Sequence, residues 1–173
     1  MDDPRFPIGK FQRPSEYTTE LRAHHIAEIE RTPALMRKAV TGLTEAQIDT
    51  PYRDGGWTVR QVTHHVPDSH MNSYIRFKLA LTEDNPTIKP YEEQLWAELP
   101  DSKLPVEISL RTLELLHERW VVLLKSMDGA AWKRTFRHPA LGDVPLMAAA
   151  AMYAWHGNHH VAHVTSLREK MGW

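Results

Sequence analysis

Apolar positions along this chain recur mostly at helical spacing. Ile29, Met36, Val40 and Leu43 keep a 3.6-residue rhythm that starts near Glu16 and continues across Pro33. Pro33 lacks an amide donor, so the spacing predicts a first helix that is kinked or split there. Thr44 with Gln47 three residues on has the form of a capping box and predicts one short turn. After the break at Asp54-Gly55-Gly56, Thr58 and Gln61 repeat the box and open a second long helix, through about Leu81. Pro67 falls inside it and should bend it. Residues 82–105 hold Pro86, Pro90, Pro100 and Pro105 and predict a long connection with one turn around Glu92 to Ala97. Connections of this length in a compact domain commonly serve as lids, binding loops or interface elements. A third helix is predicted from about Glu107 to Met127, with Leu113, Leu116, Trp120, Leu123 and Met127 as its seam. A connector over 128–144, with a small hairpin, leads to Pro145, which suits the first turn of a fourth helix ended by Gly172.

Four long helices without a strand pattern predict an all-α, four-helix bundle. The whole of 1–173 reads as a single domain, with 1–14 as an extended, proline-bearing arm. The 82–105 connection is long enough for the second and third helices to run in the same direction.

Composition narrows the function. The chain has 173 residues, 21 Lys+Arg against 22 Asp+Glu, and a net charge of -1. This balance argues against a nucleic-acid partner and gives no basic membrane anchor. No apolar run nears the roughly 18 residues of a spanning helix. Met1–Ser15 lacks an apolar signal core, so a cytoplasmic protein is expected. Cysteine is absent, which removes disulfides, thiolate metal sites and a cysteine nucleophile. Histidine is abundant, at 11 residues.

Four of the histidines cluster on the fourth helix. With His156 at zero on a helical wheel, His160 falls at about +40°, His163 at about −20° and His159 at about −60°. That arc is the stripe a bundle helix buries, together with Ala149, Tyr153 and Leu167. Buried imidazoles without partners cost about 1–3 kcal/mol each, so they need ligands or hydrogen bonds. Two His at i and i+4 converge on one ion. His156/His160 straddles the stripe better than His159/His163, which lies toward one flank as pocket or interface residues. Spacing alone leaves metal ligation and ordinary core histidines both open. On the second helix His65 shares a face with Val62, Val66 and Ser69, and is the inward candidate. His64 points about 100° away. Asp68 is placed to orient either ring, or to stand as a plain surface acid. His24 and His25 read as a solvated pair, and His117 and His138 have no telling spacing.

The stretches PYRDGGWTVRQVTHH over 51–65 and DSHMNSYIRFK over 68–78 closely resemble the YfiT branch of the DinB/YfiT-like metalloproteins. So do Phe6 to Gly9, the tail motif containing His156, His159, His160 and His163, and the final Met171-Gly172-Trp173. The resemblance implies an up-down-down-up bundle and one divalent metal per chain, zinc or nickel, on three histidines. The family's ligand positions fall on His65, His156 and His160. It further implies a metal-dependent hydrolase of a small molecule and a homodimer. Relatives that join a small thiol to an electrophile make a metal-dependent S-transferase the alternative, and a non-catalytic metal-binding bundle the third. A di-iron bundle is disfavoured, because the Glu-x-x-His motifs it needs on two helices are missing. Pro67 and Gly157-Asn158 depart from the family pattern, and the latter is expected to loosen the fourth helix.

Three imidazoles leave a position open on the ion, for a water whose pKa falls toward about 7 or for a thiolate. With no cysteine in the chain, any thiol must be a borrowed small molecule. Asp68, His70 and His159 are the candidate general bases. Tyr74 and Arg76 are candidates for substrate contact.

Overall fold

The computed structural model describes residues 3–173, so Met1 and Asp2 of the expected arm lie outside the described residues. Its helices are α1 (Thr19–Val40), α2 (Glu45–Ile48), α3 (Val59–Thr82), α4 (Glu93–Trp96), α5 (Val106–Ser126) and α6 (Leu146–Met171). A hairpin of β1 (Thr135–His138) and β2 (Gly142–Pro145) precedes α6, with Thr135 opposite Pro145 and His138 opposite Gly142.

Both capping boxes form. Thr58 Oγ1 accepts from the Gln61 amide at 3.1 Å, and Gln61 Oε1 accepts from the Thr58 amide at 3.0 Å. The pair at Thr44 and Gln47 does the same. Such a cap is worth about 1 kcal/mol. The first helix begins three residues later than its periodicity suggests, because Thr18 takes the cap and accepts from the Leu21 amide. Pro145 sits at the N-cap of α6 rather than in its first turn, and Gly172 ends that helix at φ 70°.

Side-chain contacts fix the directions of the four long helices. His64 with Ser109 and His70 with His117 make α3 and α5 parallel. Arg37 with Glu107 and Lys125 with Glu30 make α1 and α5 antiparallel. Asn158 on Glu28 and Arg168 on the Ala39 carbonyl make α1 and α6 parallel. The bundle is therefore up-down-down-up. The 82–105 connection, with α4 and a 3-10 turn at Pro100–Lys103, carries the chain from the end of α3 back to the level where α3 began.

Neither internal proline splits its helix: α1 runs through Pro33 and α3 through Pro67. At Pro33 the missing amide leaves the Ile29 carbonyl free, and His117 Nδ1 donates to it at 2.6 Å. The seam of α5 is rotated from the predicted one. Leu113, His117, Trp120, Val121 and Leu124 are buried, whereas Leu116 and Leu123 are half-buried.

Two apolar clusters fill the interior. One gathers Met36, Val62, Val66, Leu113 and Val164; the other gathers Ile29, Phe77, Trp120, Leu146 and Ala150. Between them in sequence on every long helix lies a polar step: Thr32 on α1, Ser69 and His70 on α3, His117 on α5, and His156 to His160 on α6. The bundle thus carries a polar layer across its waist.

Gly157 does not loosen α6; it lets α6 approach α1. A Cβ there would lie 2.5 Å from Thr32 Oγ1 and 2.7 Å from its Cγ2, and Thr32 is fully buried. The neighbouring Asn158 amide donates to Glu28 Oε2 across the same crossing. Gly157→Ala is expected to cost about 1–3 kcal/mol through overpacking, read as a lower urea midpoint at unchanged slope.

Candidate metal centre

The polar layer brings His65, His156 and His160 together. One ring nitrogen from each lies within 4.8 Å of the others, and they are the only group of three or more metal-capable side chains so gathered among the described residues. His65 Nε2 and His156 Nε2 are 3.3 Å apart. His65 and His160 are buried and His156 is nearly so. Helix α6 supplies an i, i+4 pair from one face, and the antiparallel α3 supplies the third ring.

Burial pushes the His65 imidazole down to about 4, helped by His163 and His159 nearby. His156 and His160 are also held well below the usual histidine range, chiefly by burial. All three are therefore neutral at pH 7, the state in which an imidazole ligates a metal. Three neutral imidazole nitrogens converging inside a protein fit a divalent ion of borderline softness.

Aromatic rings wall the site. Trp57 lies 4.7 Å from the His65 ring, and Tyr52 stacks on His163 at 4.1 Å. The N-terminal arm covers the flank. Phe6 lies 6.0 Å from His159, and the Arg5 carbonyl accepts from His163 Nε2 at 3.2 Å. Trp57 Nε1 donates to Gln94 Oε1 at 3.1 Å, tying the 82–105 connection to the same wall. Ser69 Oγ lies 3.5 Å from His156 Nε2.

The other sequence candidates divide. His70 is fully buried, with Nδ1 2.8 Å from His117 Nε2 and Nε2 3.0 Å from His156 Nδ1. Both nitrogens are engaged, so it stands behind His156 rather than facing into the cluster. His159 stacks on Trp155 at 4.3 Å, and its Nδ1 is buried without a partner. Asp68 lies apart from the cluster, in a cavity of about 160 Å³ with His64, Asp101 and Ser109. Of the two roles its spacing allows, it does not take the orienting one: its carboxylate bonds to neither ring. His64 is held instead by Ser109 Oγ at 2.6 Å and the Leu104 carbonyl at 2.9 Å. Burial, then the charge of Asp101, pushes Asp68 up to about 6.

Tyr74 packs on the apolar cluster of Phe77 and Trp120, with the cationic groups of Lys78 and Arg119 5.3 and 5.9 Å from its ring centre. Arg76 is half-buried on α3. His25 is buried, unlike its exposed neighbour His24, so the two are not a solvated pair. His138 accepts from the Ala140 amide in the hairpin turn. His117, which its spacing to other histidines does not single out, lies four after Leu113 and three before Trp120, the buried spacing of α5, and that is the signal in the sequence that marks it.

The model of the DinB superfamily matches residues 28–164. The chain belongs to this superfamily. A Bacillus mycoides relative named "Putative metal-dependent hydrolase" is 59% identical over all 173 residues of both chains. A Bacillus cereus relative of the same name is 60% identical over the same span. Among solved structures, YfiT from Bacillus subtilis is 48% identical, covers 98% of both chains and superposes with a TM-score of 0.95. It is described as a probable metal-dependent hydrolase with an unusual four-helix bundle topology. TT2238, another four-helix bundle, is 17% identical at a TM-score of 0.55, over 81% of this chain and 94% of its own, and supports the fold alone. As a DinB superfamily member of the YfiT-like kind, the chain presents its three clustered histidines in a bundle waist built by helices α3 and α6.

Proposed function

We propose that the chain is a metal-dependent hydrolase of a small molecule, with one zinc ion held by His65, His156 and His160 and nickel as the other candidate. The observation that carries this reading is the convergence of three neutral ring nitrogens within 4.8 Å. The names of its full-length relatives support it.

A bound divalent ion with three protein ligands supplies Lewis acidity and an open position for a water or substrate oxygen. The chain's own residues do the rest. Trp57 covers the His65 ring, and Tyr52 covers His163 on the flank of the cluster. Ser69 offers a hydroxyl beside His156 Nε2, positioned to orient a polar substrate group. No acid or base is assigned to His70, whose nitrogens are both occupied.

The same reading takes the chain as a cytoplasmic homodimer. Leu95 and Leu99 on the 82–105 connection and Ile108 on α5 are exposed apolar residues that a second copy would cover. No helix among the described residues is long and apolar enough to cross a membrane.

The deciding assay incubates metal-loaded protein with ester, amide and phosphoester panels in ¹⁸O water. A parallel assay uses a low-molecular-weight thiol plus an electrophile. Hydrolysis requires ¹⁸O in a product and its loss in His160→Ala. Enzyme-dependent thiol consumption without ¹⁸O incorporation would replace hydrolysis by S-transfer, and silence in both assays would leave a metal-binding bundle.

A further inference from the structure

We infer that two imidazole relays, each anchored on a backbone carbonyl, lock His156 and His160 as Nδ1–H tautomers, so that both present Nε2 to the metal. This rests on the reading of His65, His156 and His160 as ligands.

The first relay starts at the Ile29 carbonyl, which Pro33 leaves without its helical amide. A carbonyl only accepts, so His117 Nδ1, 2.6 Å away, must carry the proton. Burial holds His117 down to about 4, so at pH 7 its ring has one proton only and Nε2 accepts. His70 Nδ1, 2.8 Å from that Nε2, must therefore donate. With one proton on a neutral ring, His70 Nε2 then accepts, and the group 3.0 Å from it is His156 Nδ1. His156 is left with its proton on Nδ1 and its lone pair on Nε2, the atom that faces His65 Nε2 at 3.3 Å.

The second relay has the same logic and a different anchor. The Arg5 carbonyl accepts from His163 Nε2 at 3.2 Å, which leaves His163 Nδ1 as an acceptor. His160 Nδ1 lies 3.3 Å from it and must donate, so the His160 lone pair also sits on Nε2. One relay is fastened to α1 and the other to the N-terminal arm. The arm thus contributes to the site through its backbone.

His70, His117 and His163 are positioning residues in this scheme. An outer partner that fixes the tautomer of a ligating histidine typically accounts for about 10–100-fold in metal affinity.

The test begins with ¹⁵N-labelled, metal-free wild-type protein at pH 7.5. Two-bond ¹H–¹⁵N correlations report the tautomer of each ring without any metal. His156 and His160 should both show the Nδ1–H pattern, with His163 as the Nε2–H form. Either ligand in the Nε2–H form overturns the proposal. His70→Leu should mix the His156 tautomers and leave His160 unchanged; His163→Leu should do the reverse. Each variant should still bind one Zn²⁺ at saturation, about 10–100-fold more weakly. A merely structural role would lower Tm without altering either tautomer, and that result also overturns the relays. If a variant does not fold, the wild-type spectrum decides alone. Wild-type protein with the expected tautomers but no Zn²⁺ binding would uphold the relays and sink the metal-dependent reading.

Discussion

Replacing His65, His156 or His160 by alanine is expected to take bound metal from about one ion per chain to nearly none. A structural zinc site with four ligands is worth about 10–16 kcal/mol, so one ligand accounts for roughly 2.5–4 kcal/mol, about a hundred- to a thousandfold in affinity. The loss should be similar for the three, because each supplies one nitrogen to the same 4.8 Å cluster. The pattern across the other histidines makes the prediction specific. His159→Ala removes a ring stacked on Trp155, outside the cluster, and should leave metal content unchanged. His163→Ala should weaken binding while keeping one site per chain. Elemental analysis of purified variants, followed by competition titration against a chelator, measures both quantities. Full metal content in His156→Ala would sink the assignment and transfer it to the His159/His163 pair.

The wheel could place this site to within one helix face and no further. It ranked His156/His160 above His159/His163 because the former straddles the buried stripe, and it chose His65 because Val62 and Val66 share its face. Periodicity carries that information, since it reports which side of a helix is buried. What it lacks is the partner across the interior. The role of His117 is invisible to periodicity because its hydrogen bonds go to His70 and to the Ile29 carbonyl, 47 and 88 residues away in sequence. Spacing leaves Asp68 open as an orienting acid or a plain surface acid, and the His64 ring is held instead by Ser109 and the Leu104 carbonyl.

Gly157, a departure from the family pattern, differs between sequence and structure for a related reason. A glycine inside a helix is locally unfavourable, by about 1 kcal/mol against alanine. Gly157 is instead a long-range feature, because the buried Thr32 side chain of α1 occupies the space a Cβ would need. Pro33 likewise costs a helical hydrogen bond locally and supplies an acceptor to another helix. The architecture was legible from caps, breaks and periodicity. The contacts that make these exceptions useful were not, since they join residues far apart in the chain.

Metal-free protein is expected to lose stability in mild acid, starting well above the pH at which carboxylates are neutralised. Burial pushes His65 and His117 from 6.5 down to about 4 in the folded chain. Unfolding restores the ordinary value, so between pH 6.5 and 4 the unfolded state binds more protons than the native one. Stability then rises with pH across this window and is lost as pH falls through it. Each such ring contributes about 3 kcal/mol to that loss. Domains of this size have only about 5–15 kcal/mol in total, so these two rings alone consume a large share. His70, His156 and His160, also held well below the usual histidine range by burial, act in the same sense. Asp68 opposes them. Its carboxyl is pushed up to about 6, so between pH 6 and 3.8 the native state binds the extra proton and gains stability as pH falls. One half-buried carboxyl cannot offset several buried imidazoles. The urea midpoint of metal-free protein should therefore fall steeply as pH drops from 6.5 toward 4, and native structure should be gone by about pH 4. Saturating metal should move the steep region to lower pH, because a ligating imidazole must lose its metal before it can take a proton. A midpoint that stays flat from pH 7 to 5 would mean that the waist histidines already carry protons in the folded chain, and a charged waist would have neither three lone pairs to offer a metal nor single-proton rings to relay them.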